Sequence, residues 1–140
     1  PCIADPGNKI VAYAHQQHIH VKPLVGPSSI ILSLMSSGFN GQSFRFRGYL
    51  PKDKTERNEC FVSMQKTIKS TRETQIFIET PYRNNDLLTH LVQTLDTYIM
   101  HKLYNELTTS SEQIISQSIG DWRKKGLPDI NKKLCIFLLN

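Results

Sequence analysis

Leu134-Cys135-Ile136-Phe137-Leu138-Leu139 is an unbroken apolar run. It is far shorter than the ~18 residues a membrane span requires, and a run of this length marks a strand covered on both faces. A chain holding such a strand must supply a sheet around it and helices on either side. Thr74-Gln75-Ile76-Phe77-Ile78-Glu79-Thr80 is rich in β-formers and predicts a second buried strand. The turn signal Asn40-Gly41 precedes Phe44 and Phe46, which alternate with arginines until Pro51 and predict a third strand beginning near Ser43. Tyr98 to Tyr104 reads as another, and Ile19-His20-Val21-Lys22, apolar alternating with polar, as a short one.

Between these runs the apolar spacing turns helical. Ile10, Tyr13 and Ala14 recur at i, i+3 and i+4, predicting a helix from 8 to about 17 after the Asp5-Pro6-Gly7 turn. Ser28 precedes the apolar run Ile30 to Met35, and Ser37-Gly38 closes it, so two to three helical turns are expected there. Asp53 with Glu56 resembles a capping box, and Phe61, Met64 and Ile68 continue a helix over roughly 54–70. Leu87, Leu88, Leu91, Val92 and Leu95 mark one more amphipathic helix. The repeated strand–helix order predicts an α/β protein with a joint near residues 38–42. Residues 105–125 carry no clear period.

Composition sets the outer limits. A chain of 140 residues, 39% apolar, holds one core, which predicts a single domain with an appendage. Cys2, Cys60 and Cys135 are odd in number and lack C-x-x-C spacing, so neither a disulfide framework nor a zinc site is expected and a reducing cytoplasm fits best. The net charge is +5, yet eight of the 17 basic residues (Arg45, Arg47, Lys52, Lys54, Arg57, Lys66, Lys69 and Arg72) fall within 28 positions. That bias suits a nucleic-acid partner as well as an ordinary solvated face.

Few constellations carry chemistry. His15, His18 and His20 invite a metal, but His20 belongs to the expected strand and no acidic or thiol ligand stands beside them, so no metal is expected. G-x-S-x-G, the phosphate-loop pattern and a complete G-x-G-x-x-G are all missing from the sequence, which leaves hydrolase and nucleoside-triphosphatase readings unsupported. Glu79-Thr80-Pro81-Tyr82-Arg83 puts an acid, a bend and an arginine at the carboxyl end of a buried strand, the edge where open α/β sheets bind ligands. An ion pair and a helix start explain the same residues. Gly26-Pro27-Ser28-Ser29 either admits a ligand to the backbone or caps a helix.

Five ordered blocks, IADPGNKIV, KPLVGPSSIILSLMSSGF, QSFRFRGYLP, TQIFIETPYRN and KKLCIFLLN, go further. Together they resemble the ribosomal RNA small-subunit cytidine 2′-O-ribose methyltransferases, members of the tetrapyrrole (corrin/porphyrin) methylase superfamily. The likeness is close over residues 1–95 and 120–140 and loose between. It implies an S-adenosylmethionine-dependent methyltransferase of two α/β domains with the cofactor between them. On that alignment residues 1–40 are the tail of the N-terminal cofactor-binding domain and 41–140 the C-terminal methyltransferase domain, so the chain reads as part of a larger enzyme.

The resemblance also places site residues. Cofactor positions fall on Ile3, Ala4, Asp5, Asn8, Ser28 and Ser29, and, from the other side, on Glu79 and Leu107. Arg57 and Arg83 occupy family arginine positions, while Arg45, Arg47 and Lys54 are placed to guide a phosphate backbone. Val25, Asn105 and Thr109 depart from the family's Pro, Arg and Lys, and two lost cations are lost phosphate partners. No catalytic base is identified. A homodimer and a ribosomal RNA substrate are implied, with no membrane. The alternatives are methylation of a tetrapyrrole or other small molecule, and a non-catalytic dimerisation or substrate platform.

Overall fold

The computed structural model describes residues 2–140. Strands β1 (Phe44–Tyr49), β2 (Thr74–Ile78), β3 (Met100–Asn105), β4 (Gln113–Ser118) and β5 (Cys135–Leu139) form one sheet in the order β1-β2-β5-β3-β4. β1 and β2 pair in parallel and the other neighbours antiparallel, so β1, β2 and β3 point one way and β4 and β5 the other. The last strand in sequence is therefore the middle strand of the sheet. All five of its residues are buried, as its unbroken apolar run requires.

Helices α1 (Asn8–Gln16), α2 (Ser29–Ser37), α3 (Lys54–Thr71), α4 (Asn84–Thr94) and α5 (Ile119–Lys125) complete the fold, with a short 3-10 turn at Pro81–Arg83. Because strand side chains alternate, the sheet has two apolar faces. On one, Phe77, Leu103, Phe137 and Leu139 pack against Phe61, Met64 and Ile68 of α3, Leu87, Leu88 and Leu91 of α4, and Trp122 of α5. Phe77 and Phe137 stack there with ring centroids 5.4 Å apart. Each fully buried side chain of this size contributes roughly 1.5–3 kcal/mol of burial free energy. On the other face Ile76, Tyr104, Ile136 and Leu138 meet Leu34 and Ile30 of α2, and Phe39. α1, by contrast, buries no residue.

Local chemistry fixes the element ends. Asp53 caps α3, its carboxylate accepting from the Thr55 and Glu56 amides at 2.9 and 3.0 Å. Gly38 ends α2 in the left-handed region, with φ of 70°. Arg57, only 1% exposed, ties α3 to α4 by donating to Asp86 and to His90 Nδ1, each at 2.8 Å. Arg123 closes α4 by donating to the Val92 carbonyl at 2.8 Å and the Leu95 carbonyl at 2.6 Å.

The sequence expectation fails at one element. Ile19-His20-Val21-Lys22 is not a strand: His18 turns the chain with φ of 56°, and Ile19 N–H closes back on Ala14 O at 2.9 Å. Alternation alone does not make a strand, which is held by a paired neighbour, and none lies beside this segment among the described residues. The strand expected from Tyr98 starts at Met100, because the turn that joins Ile99 N–H to Asp96 O at 3.1 Å precedes it. The patternless 105–125 region resolves into β4 and α5, the latter capped by Ser118 Oγ accepting from Asp121 N–H at 3.0 Å.

Candidate functional site

The carboxyl ends of β1, β2 and β3 and the amino end of β5 open onto a cleft of about 330 Å³. Tyr49, Ile78, Glu79 and Pro81 line one side, Glu106, Leu107 and Thr109 another, and Leu134, Cys135 and Ile136 the floor, with Ser29 of α2 at the rim. The cleft lies where strand polarity puts it, since the three like-directed strands end together there. Most of its wall is aliphatic, with a few polar groups, the usual makeup of a small-molecule site.

Glu79 is the most constrained of these groups. Its side chain is fully buried, and Oε1 accepts from Thr80 N–H at 2.6 Å and from the Arg83 guanidinium. Arg83 is held in turn by Thr80 Oγ1 at 3.1 Å. Oε2 is buried with no hydrogen-bond partner. A buried carboxylate oxygen without a donor is costly, so this atom is suited to receive a ligand's N–H or O–H.

The turn after β3 is strained on the same side of the cleft. Glu106 and Thr108 have φ of 51° and 68°, a left-handed conformation that L-residues adopt at a cost of roughly 1–2 kcal/mol each. The turn is held by Thr109, whose N–H and Oγ1 reach Glu106 O at 3.1 and 2.8 Å, and by Glu112 Oε2 accepting from Thr108 N–H at 2.7 Å. Burial pushes the Cys135 thiol up to about 12, against a lowering by Lys133 and with a smaller rise from Glu106, which disfavours its thiolate.

A shallower groove of about 270 Å³ lies beside the cleft, lined by Arg45, Phe46, Arg47, Tyr49, Leu50, Pro51, Cys60 and Met64. Tyr49 borders both the groove and the cleft. Arg47 donates from Nε to Gln75 Oε1 at 2.8 Å, which fixes its fork while leaving the terminal nitrogens. Burial, and then the neighbouring Arg45, lower its pKa from the ordinary arginine value. Glu73 is the nearby anion that partly offsets this pair, and Lys54 adds an exposed cation at the start of α3.

Of the cofactor positions implied by resemblance, the structure gathers Ser29, Glu79 and Leu107 at one cleft. Ile3, Ala4, Asp5, Asn8 and Ser28 lie outside its wall, the first four exposed. Asp5 is occupied locally, its Oδ1 accepting from Gly7 N–H at 2.8 Å. Arg45, Arg47 and Lys54 reach the surface, Arg83 is tied to Glu79, and Arg57 is an interior tie between helices with no free face. Tyr49, Glu106, Leu134 and Cys135 line the cleft without any site signal in the sequence, and only the Glu79-Thr80-Pro81 motif points near them. His15, His18 and His20 are exposed, and no group of three His, Cys, Asp or Glu is placed to hold a metal among the described residues.

Solved structures with this fold include several methyltransferases. A putative diphthine synthase from Entamoeba histolytica superposes with a TM-score of 0.64 at 12% identity, over 95% of this chain and 58% of that one. A uroporphyrin-III C-methyltransferase from Thermus thermophilus, complexed with S-adenosyl homocysteine, superposes with a TM-score of 0.55 at 12% identity, over all of this chain and 61% of that one. The methyltransferase CobJ gives 0.59 at 12% identity, over 95% of this chain and 56% of that one. The fold this chain shares with them is that of the tetrapyrrole methylases.

Within that class the sequence is similar to Ribosomal RNA small subunit methyltransferase I. The protein of that name from Halalkalibacterium halodurans is 33% identical over 121 residues, 86% of this chain and 40% of the relative. The Streptococcus pyogenes protein is 34% identical over 122 residues, with the same two coverages, and the Vibrio cholerae protein 31% identical over 133 residues, 95% of this chain and 45% of its own length. The chain thus spans less than half the length of these relatives. No family profile matches it.

Proposed function

We propose that this chain is part of an S-adenosylmethionine-dependent methyltransferase that acts on ribosomal RNA, at the ribose 2′-oxygen of a cytidine. The observation that carries this reading is the cleft itself: three positions marked by resemblance, Ser29, Glu79 and Leu107, are far apart in sequence and meet around one cavity. Glu79 Oε2, buried and without a donor, fits a cofactor bearing N–H and O–H groups. S-adenosylmethionine brings an already activated methyl group. The protein's own task is then to hold donor and acceptor in line and keep water out.

In this reading residues 1–40 are the tail of an N-terminal cofactor-binding domain and 41–140 the C-terminal domain. Ile3, Ala4, Asp5, Asn8 and Ser28 would close over the cofactor from the N-terminal side. Arg45, Arg47 and Lys54 track the RNA backbone along the groove beside Tyr49, and Arg83 acts through Glu79. Two copies form the working unit, and three free cysteines suit the reducing cytoplasm where ribosomal RNA is found. Paired guanidinium groups next to the cleft favour a phosphodiester chain over a tetrapyrrole.

A second reading has its own support. Five of the eight cofactor positions stand outside the cleft wall, so the chain alone would serve as a substrate or dimerisation platform. Calorimetric titration of S-adenosylmethionine into this chain, and into a form extended upstream to the length of the relatives, separates the two. Binding to both supports a cofactor site largely contained here; binding to the extended form alone supports the platform. Binding to neither removes the methyltransferase reading. Mass spectrometry of ribosomal RNA from cells lacking the gene tests the substrate, and unchanged cytidine ribose methylation would exclude it.

A further inference from the structure

β1 does not keep its register to the end. Phe46 stands opposite Ile76 and Tyr49 opposite Ile78, so three steps along β1 match two along β2, and the extra residue makes a bulge around Gly48, whose φ is 67°. A Cβ at Gly48 would meet nothing within 4 Å, so backbone conformation and not crowding calls for glycine there. The bulge changes where Tyr49 faces. Unbroken alternation would put it on the side of Arg45 and Arg47, whereas the added residue sets it against Ile78, which lines the cleft. Tyr49 thus stands between the arginine groove and the cleft. It is 53% exposed, and no other aromatic ring covers it among the described residues.

An exposed aromatic ring next to guanidinium groups suits an unpaired nucleotide, whose base stacks on the ring while its phosphates meet the cations. We propose that Tyr49 is the platform on which the base of the target nucleotide stacks, presenting its ribose to the cleft while the flanking phosphates lie on Arg45 and Arg47. This deepens the RNA reading above and rests on it. Tyr49 is suited to the target nucleotide because it is the residue shared by the groove that takes phosphate and the cleft where the methyl group is transferred. A paired base offers no free face, so the nucleotide is unpaired or drawn out of its helix when it binds. The adenine of the cofactor is a poorer occupant: a sulfonium compound without phosphate is itself cationic and gains nothing from two guanidinium groups. Stacking needs the ring and not the phenol hydroxyl, so phenylalanine serves equally at this position.

Binding of a short single-stranded oligocytidine, and of an abasic ribose-phosphate oligomer of the same length, tests this in the form extended to the length of the relatives. Tyr49→Ala should weaken the oligocytidine about tenfold or more, leave the abasic oligomer unchanged and keep the salt slope. Tyr49→Phe should bind as the native protein does. Tyr98→Ala is the control, since Tyr98 is 55% exposed beside Lys69 at the other end of the sheet, and it should have no effect. Tyr49→Trp should gain fluorescence that oligocytidine quenches and the abasic oligomer does not, a signal that remains available if the alanine variant does not fold. Oligocytidine binding indifferent to Tyr49→Ala overturns the platform and leaves the RNA reading standing. An equal loss for the abasic oligomer, or in Tyr98→Ala, also overturns it, as does a loss of S-adenosylmethionine affinity alone, which would give Tyr49 to the cofactor. No salt-dependent binding of either oligomer by the native protein overturns the RNA reading and the platform with it.

Discussion

His101 sits wholly inside the protein, its ring 5.8 Å from that of Trp122 and 5.9 Å from that of Phe137, with both ring nitrogens unpartnered. Burial lowers its pKa from 6.5 to about 3. The folded state therefore holds it neutral while the unfolded state takes up a proton below about pH 6.5, so its stability contribution is full above that pH and falls as pH drops toward 3. His90 adds in the same direction: burial and then Arg57 lower its pKa, and its Nδ1 must stay unprotonated to accept from Arg57. Urea denaturation of the native chain should lose up to about 1.4 kcal/mol per pH unit from His101 in this window. His101→Phe should flatten that slope and raise stability at neutral pH by removing two desolvated nitrogens. An unchanged pH slope in the variant would mean that His101 is hydrated in the folded state.

At the scale of elements, the ends of helices are where short signals act. Asp53 accepts from two amides of α3 and carries the cap alone, so Asp53→Ala should cost about 1 kcal/mol in thermal or urea unfolding without altering cofactor binding. That cap was legible in sequence because its chemistry is local, as were the stop at Gly38 and the double-sided burial of β5. The false strand at Ile19-His20-Val21-Lys22 shows the limit of alternation, which describes which faces a strand would present and not whether a neighbour exists to pair with it. β4 was missed for the converse reason: its residues are weakly patterned, and register with β3 rather than apolar alternation makes it a strand. Glu79 was legible as a motif at a strand end. Glu106, Leu134 and Cys135 became site residues only through long-range pairing, since β3 and β5 meet across some thirty positions of chain.

For the whole molecule, charge and topology act together. The edge that carries Arg45 and Arg47 borders the cleft through Tyr49, whereas the opposite edge strand itself carries no charge. Replacing Arg45 and Arg47 by Ala should weaken RNA binding across sequences alike and reduce the slope of log K against log salt by about 1.4, two single-strand phosphates at about 0.7 each. A slope that does not change would remove these residues from the RNA path. The central position of β5 has a further consequence for how the molecule is made. Until Cys135–Leu139 docks, β1–β2 and β3–β4 are two separate pieces, each with an unsatisfied inner edge and half a core. Folding must wait for a closure between segments distant along the chain, a high-contact-order step that is slow and leaves two sticky edges open meanwhile.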